Sequence, residues 1–177
     1  MEQEDRKQHW EKIYTSKALQ EVSWFQPVPT TSLDFFRKFD IPKTARIIDV
    51  GGGDSYLADH LLDMGYTDIT VLDISEAALE RAKLRLGPRA EMVKWIVSDI
   101  NEFEPKETYD FWHDRATFHF LTRQEEVEHY IGIVSRCLSP EGVFVVGTFS
   151  ESGPEKCSGY TVRRYSEADM TALLERH

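Results

Sequence analysis

Three aspartates and a glycine-rich turn are the residues of this sequence with the clearest chemical potential. Asp49 precedes the turn, which contains the consecutive glycines Gly51, Gly52 and Gly53, and Asp73 and Asp99 each end or follow a later apolar stretch. Glycine lets the backbone turn tightly and come close to a ligand. The helix that follows such a turn offers free N–H groups to an anion. The pattern predicts a site for a ligand that carries both hydrogen-bond donors and an anionic group.

The spacing of the aspartates suggests parts of that ligand. Asp73 lies about 20 residues beyond the glycines, where a carboxylate accepts hydrogen bonds from ribose hydroxyls. Asp99 can accept from an exocyclic adenine amine. A dinucleotide fingerprint is the competing interpretation, but Tyr56 stands where its third glycine belongs. Each aspartate alone is more often a turn or cap residue, so the prediction rests on all three together.

The elements that must position these residues alternate between strand and helix from residue 45 onward. The apolar patterns predict strands over 45–50, 69–72, 92–97, 109–112 and 143–149, and helices over 55–64, 75–86, 124–138 and 166–175. Residues 140–142 read as a turn. Such alternation predicts an α/β fold with a parallel sheet and helices on both faces. Ligands bind such sheets at the carboxyl ends of the strands, where the three aspartates are placed.

Length and composition favour one domain of 177 residues. We expect an N-terminal helical cap over residues 1–42 and a Rossmann-like core over 43–177. The aromatic residues of the cap, among them Trp10 and Trp24, either cover the edge of the sheet or form a lid over the ligand.

Charge and residue usage exclude several classes of function. The formal net charge of −10 weighs against a nucleic-acid partner. No apolar run approaches the roughly 20 residues that span a bilayer, and the polar N-terminus is unlike a signal peptide, so we expect no membrane partner and a cytoplasmic protein. Cys137 and Cys157 form no CxxC pair, and no Cys/His grouping has zinc-ligand spacing.

In this order, the motifs resemble the class I S-adenosylmethionine-dependent methyltransferases. The resemblance rests on D-x-G-x-G at 49–53, then on an acid after the second strand and another after the third, and it covers residues 45 to about 150. It implies that S-adenosylmethionine is the cofactor. The cofactor-binding residues that it implies are Asp49, Gly51, Gly53 and Asp54 around the methionine part, Asp73 and Ile74 at the ribose, Asp99 and Ile100 at the adenine, and His113 nearby.

The resemblance also places the segment after the fourth strand opposite the transferring methyl group. His113, Asp114 and His119 are then the candidate catalytic residues, as bases for a nucleophile that arrives protonated. Trp24, Phe25 and Phe118, with Phe120, are candidates for an apolar substrate pocket. We expect a small-molecule acceptor. The alternatives are a protein lysine, which an open acidic groove would favour, and a non-catalytic module that binds the cofactor without turnover.

Sheets of this family usually end with an antiparallel hairpin that adds two strands. The sequence shows no such hairpin after the helix predicted at 166–175. The fifth strand would then leave an apolar edge unpaired. This suggests a homodimer through that strand, and the alternatives are a truncated chain or a marginally stable fragment.

Overall fold

A computed structural model describes residues 2–115 and 117–176 of the chain. Its centre is a five-stranded parallel sheet in the order β3-β2-β1-β4-β5. The strands are β1 (Arg46–Val50), β2 (Asp68–Asp73), β3 (Val93–Val97), β4 (Tyr109–Arg115) and β5 (Leu138–Gly147). The predicted α/β architecture is therefore confirmed.

Within the described residues, six α-helices surround the sheet. They are α1 (Glu2–Ser16), α2 (Thr30–Lys38), α3 (Leu57–Asp63), α4 (Glu76–Leu86), α5 (Gln124–Cys137) and α6 (Glu167–Leu174). The helices predicted over 75–86 and 166–175 each begin with a serine that caps them, because Ser75 Oγ accepts from Ala78 N at 3.2 Å and Ser166 Oγ accepts from Asp169 N at 3.0 Å. None of the described helices is both long and apolar enough to cross a bilayer.

The two faces of the sheet carry separate apolar cores. Helices α2, α3 and α4 cover one face, where the rings of Phe36 and Phe111 lie 4.0 Å apart between centroids. Helices α5 and α6 cover the other, where the buried Trp112 Nε1 donates to Tyr130 Oη at 3.0 Å. Side chains of consecutive strand residues point to opposite faces, so Phe111 and Trp112 belong to different cores.

Strand boundaries differ from the predicted ones at the two strands nearest the chain's C-terminal part. Strand β4 continues to Arg115 rather than ending at Trp112, because it pairs with both β1 and β5. Strand β5 begins at Leu138, and the predicted turn at 140–142 lies inside it, at a shift in the register with β4. A bulge of this kind adds residues without ending the strand.

Four two-residue strands follow β5 within the described residues, in a stretch where the apolar patterns predict no strand. Strand β6 (Phe149–Ser150) pairs in parallel with β9 (Arg164–Tyr165), and β7 (Lys156–Cys157) forms an antiparallel hairpin with β8 (Tyr160–Thr161). Ser158 and Gly159 make the tight turn of that hairpin with φ of 51° and 89°. None of these strands joins the five-stranded sheet, so β5 forms its edge within the described residues.

Candidate active site

A cavity of about 560 Å³ opens at the carboxyl ends of β1 to β4. Its floor is the end of the sheet, helix α1 forms one wall, and the β7–β8 hairpin forms another. Arg6, Trp10 and Tyr14 line it from α1, and their spacing of four residues places them on one face of that helix. The cavity is in the size range of sites for single small molecules.

One side of the cavity is acidic, because Asp73 and Asp99 lie there at the ends of neighbouring strands. Asp73 Oδ1 accepts from Ser75 N at 2.8 Å. Burial, with smaller contributions from the carboxylates of Asp54 and Asp49, raises the pKa of Asp73 to about 7. A carboxylate held in such a place gains from a ligand that brings it new hydrogen-bond donors.

Asp99 is satisfied from two directions. Its Oδ1 accepts from Asn101 N at 2.9 Å and from Asn101 Nδ2 at 3.1 Å, while Arg6 Nη1 lies 3.4 Å from Oδ2. The same guanidinium donates to Glu126 at 2.9 Å. Arg6 thus joins helix α1 to the end of β3 and to the start of α5.

At the centre of the cavity floor, three polar side chains form a chain of hydrogen bonds. Asp49 and His113 are paired in register across β1 and β4, and Asp49 Oδ1 lies 2.7 Å from His113 Nδ1. His113 Nε2 lies 2.9 Å from Ser32 Oγ on α2. All three residues are buried and line the cavity. With the carboxylate accepting from Nδ1–H, Nε2 accepts from the serine hydroxyl.

The glycine turn brings backbone close to these groups. Gly51 and Gly53 have φ of 66° and 51°, which favours glycine. A Cβ at Gly51 would come within 1.7 Å of Thr117 Oγ1, and one at Gly53 within 2.7 Å of Tyr14 Oη. Burial, then Asp73, raises the pKa of Tyr14 well above its usual value, so its hydroxyl stays protonated.

Helix α1 is fastened over the cavity at further points besides Arg6. The Glu11 carboxylate accepts from Glu76 N at 2.5 Å and caps α4. Arg81 donates to Tyr14 O at 2.9 Å and its Nη2 lies 3.1 Å from Asp54 Oδ2. The wall that α1 forms is therefore held by charged contacts rather than by apolar packing alone.

The other side of the cavity is aromatic and contains a histidine without polar contacts. His119 is 1% exposed, and neither of its ring nitrogens has a hydrogen-bond partner among the described residues. Its ring centroid lies 4.3 Å from that of Phe120 and 4.5 Å from that of Phe149. Burial lowers the pKa of His119 to about 4, so the ring is neutral at physiological pH.

Most of the residues predicted for the site line this cavity. They are Trp24, Asp49, Gly51, Asp73, Ile74, Asp99, Ile100, His113, His119 and Phe120. Gly53 and Asp54 lie behind the lining. No group of three or more His, Cys, Asp or Glu side chains within 2–115 and 117–176 is arranged to hold a metal ion.

Three predicted residues lie elsewhere. Phe118 is fully buried against Tyr130, with ring centroids 5.3 Å apart, and Phe25 packs on Tyr56. Asp114 follows His113 within β4 and so points to the opposite face, where its carboxylate accepts from Tyr130 Oη at 2.8 Å. Burial raises the pKa of Asp114 to about 6. Its surroundings are those of a core residue.

Several lining residues were not predicted from the sequence, among them Arg6, Tyr14, Ser32 and Lys156. The four-residue spacing of Arg6, Trp10 and Tyr14 could have predicted that all three face the cavity, if α1 is taken as a lid over the ligand. Ser32 and the hairpin gave none, because their place at the cavity depends on contacts between distant segments.

Comparison with known proteins identifies the family to which the chain belongs. Residues 47–142, more than half of the chain, match the family model described as a methyltransferase domain. The chain belongs to this methyltransferase family. The matched segment of the methyltransferase domain contains Asp49, Asp73, Asp99 and His113, and it excludes α1 and the β7–β8 hairpin.

Curated relatives of this methyltransferase-family chain are longer proteins. It is similar to a mouse (Mus musculus) eEF1A lysine and N-terminal methyltransferase, with 30% identity over 67% of this chain and 17% of that protein. It is also similar to a malonyl-[acyl-carrier protein] O-methyltransferase of Anoxybacillus flavithermus, with 31% identity over 59% of this chain and 39% of that protein. The chain thus spans less than half the length of either.

Solved structures share the fold at low sequence identity. An S-adenosylmethionine-dependent methyltransferase from Clostridium acetobutylicum superposes with a TM-score of 0.65 at 13% identity, over 97% of this chain and 85% of that one. A glycopeptide N-methyltransferase complexed with S-adenosyl-L-homocysteine gives a TM-score of 0.60 at 18% identity, over 70% and 53%. Both superpositions support the Rossmann-like fold.

Proposed function

We propose that this chain is a methyltransferase that uses S-adenosylmethionine and transfers its methyl group to a small molecule. The observation that carries the proposal is the pair of buried carboxylates, Asp73 and Asp99, at the ends of adjacent strands beside the glycine turn. They lie in one cavity, inside the segment that matches the methyltransferase domain.

The cavity fits the cofactor by its own chemistry. Asp73 offers a carboxylate to a ribose diol and Asp99 offers one to an adenine amine. The positive φ and crowded Cβ positions of Gly51 and Gly53 mark a backbone that comes close to other groups. The Clostridium structure is that of an S-adenosylmethionine-dependent methyltransferase. The glycopeptide N-methyltransferase was solved in complex with S-adenosyl-L-homocysteine.

When bound, S-adenosylmethionine supplies a methyl group already activated on a positive sulfonium. The tasks left to the chain are to position the acceptor, to exclude water and to receive a proton. Asp49, Asp73 and Asp99 give the cofactor side of the cavity a charge that suits a cation. Helix α1 and its aromatic residues Trp10 and Tyr14 cover the cavity from outside.

The two histidines of the cavity have different roles in this proposal. Both ring nitrogens of His113 are engaged, with Asp49 and with Ser32, so we assign His113 the positioning of those two side chains. His119 lines the cavity, both its ring nitrogens lack a hydrogen-bond partner among the described residues, and we assign it as the candidate catalytic residue toward an acceptor. Asp114 is satisfied by Tyr130 and by backbone N–H groups, and we assign it to the core.

A small-molecule acceptor is favoured over a protein lysine by the lining of the cavity. The acceptor side is lined by the aromatic residues Trp10, Trp24, Phe120 and Phe149, and the β7–β8 hairpin adds Lys156 and Cys157. A lysine-bearing peptide needs an open groove with carboxylates for its cation.

We also propose that the edge of β5 pairs with a second copy of the chain, because its residues 143–146 are apolar and only half-buried. Light scattering at micromolar concentration that gives a monomer mass would refute the dimer.

Calorimetric titration with S-adenosyl-L-homocysteine tests the cofactor assignment. We expect micromolar binding to the wild-type chain and at least a tenfold loss in Asp73→Ala. Asp34→Ala is the matched control, since Asp34 is an exposed aspartate on α2, and it should bind like the wild type. A folded wild-type chain that does not bind S-adenosyl-L-homocysteine would refute the proposal.

A further inference from the structure

The acceptor side of the cavity differs in charge from the cofactor side. The lining residues from Arg115 onward include His119 and Lys156, and among those described there is no Asp or Glu. All three carboxylates of the lining lie on the cofactor side. The cavity therefore suits a cation at one end and a neutral or electron-rich group at the other.

His119 is a buried polar residue on that side, and neither of its ring nitrogens has a hydrogen-bond partner among the described residues. A buried imidazole whose two nitrogens both lack hydrogen bonds is costly. The neutral ring has one donor and one acceptor, so it matches a ligand group that can both donate and accept. A hydroxyl has that pattern. An ammonium donates but cannot accept, and it would share the cavity with the cationic side chains of Lys156 and Arg115.

Aromatic rings define the shape of the space around His119. Phe120 and Phe149 flank its ring, and Trp10 approaches Phe120 with ring centroids 5.1 Å apart. Rings pack well against such walls in offset or edge-to-face arrangements. A flat aromatic ligand gains more from them than a flexible aliphatic one.

We propose that the methyl acceptor is a small aromatic molecule with a ring hydroxyl, and that His119 binds this hydroxyl and receives its proton. This proposal rests on the proposed function. The hydroxyl oxygen forms the new bond to the methyl carbon as the carbon–sulfur bond breaks, and sulfur keeps the electron pair. The hydroxyl proton passes to the ring nitrogen of His119 that accepts its hydrogen bond, and from there to solvent.

The charge balance of the cavity supports this role. A neutral His119 does not repel the sulfonium before the reaction. As the sulfonium becomes a neutral thioether, the imidazole gains the proton, so the net charge in the cavity is unchanged. Low intrinsic basicity is compatible with this order, because the transfer of the activated methyl group drives the proton movement.

The test uses the full chain saturated with S-adenosyl-L-homocysteine and three probes in ligand-observed NMR titrations. 4-Methylphenol carries ring and hydroxyl, cyclohexanol carries the hydroxyl alone, and N-acetyl-lysine amide carries the ammonium. We expect 4-methylphenol to bind at least fivefold more tightly than either of the others. Equal binding of the three, or tighter binding of the lysine probe, would overturn the assignment of the acceptor class.

Variants then test His119 itself. His119→Phe should weaken 4-methylphenol binding at least fivefold while S-adenosyl-L-homocysteine binding stays unchanged, which also reports folding. His119→Gln keeps a donor and an acceptor and should retain most of the binding. His129→Phe makes the same change at an exposed position of α5 and should have no effect. Unchanged probe binding in His119→Phe would refute the contact.

Methyl transfer is the second measurement. With S-adenosylmethionine in place of S-adenosyl-L-homocysteine, the wild-type chain should convert 4-methylphenol to 4-methylanisole, detected by mass spectrometry. His119→Gln should form 4-methylanisole at least tenfold more slowly although it still binds 4-methylphenol. Binding without ether formation in the wild type would refute the proton-acceptor role. Failure of the wild type to bind S-adenosyl-L-homocysteine would instead contradict the proposed function.

Discussion

Cofactor affinity should depend on pH through Asp73. Burial raises the pKa of this carboxyl to about 7, and ribose hydroxyls bind its charged form. The carboxylate is mostly formed at pH 8 and mostly neutralised at pH 6. With a pKa near 7, the charged fraction falls roughly tenfold between these two values, so the apparent Kd rises about tenfold. Affinity is therefore complete above pH 8 and is lost as the pH falls through 7.

Calorimetry with S-adenosyl-L-homocysteine at pH 6, 7 and 8 measures this effect, in two buffers of different ionisation enthalpy at each pH. Near pH 7, binding should release about half a proton per site. Asp73→Asn should bind more weakly at every pH, with less than a twofold change across the range. Burial also raises the pKa of Asp114 to about 6. Because Asp114 is present in both the wild type and Asp73→Asn, it does not account for a difference between them. A wild-type Kd that is flat between pH 6 and 8 would refute the reasoning.

Three other substitutions probe the frame of the site. Gly51→Ala should destabilise the fold by about 1–3 kcal/mol and abolish S-adenosyl-L-homocysteine binding, because its Cβ meets Thr117 Oγ1 at 1.7 Å; urea unfolding and calorimetry measure both, and wild-type values would contradict the strain argument. Glu11→Ala removes the cap that α1 gives to α4 and should cost about 1 kcal/mol and speed ligand release in stopped-flow tryptophan fluorescence; an unchanged release rate would mean that α1 does not retain the ligand. Tyr130→Phe leaves Trp112 Nε1 without its acceptor and removes the donor to Asp114 Oδ2, while backbone N–H groups still donate to Oδ1, so thermal unfolding should show a loss of about 1–3 kcal/mol, and an unchanged Tm would count against that network.

The sequence predicted those parts of the molecule that follow from local pattern. Strand–helix alternation predicted the sheet, and the acids at strand ends predicted the acidic side of the cavity, because parallel strands end at a common edge. Asp73 and Asp99 line the cavity for that reason. The Ser75 and Ser166 caps likewise depend on nearby residues alone.

Other features depend on register and on contacts between distant segments. His113 and Asp114 were grouped because they are neighbours in sequence, yet β4 extends through both and separates them onto opposite faces. The hydrogen bond from Ser32 to His113 joins residues 81 positions apart. The β7–β8 hairpin has strands of two residues, too short to show any periodicity.

The walls of the cavity have different origins along the chain, and this bears on how such a protein diverges. The cofactor side comes from the segment that matches the methyltransferase family, whereas Trp10, Phe149 and Lys156 lie outside that match. Under the proposed function, mutations in the hairpin or at Phe149 can reshape acceptor selectivity while Asp73 and Asp99 keep their places, whereas α1 also contacts the acidic side through Arg6. Relatives that share residues 47–142 need not share an acceptor, and grafting the hairpin between relatives is a direct way to alter their selectivity.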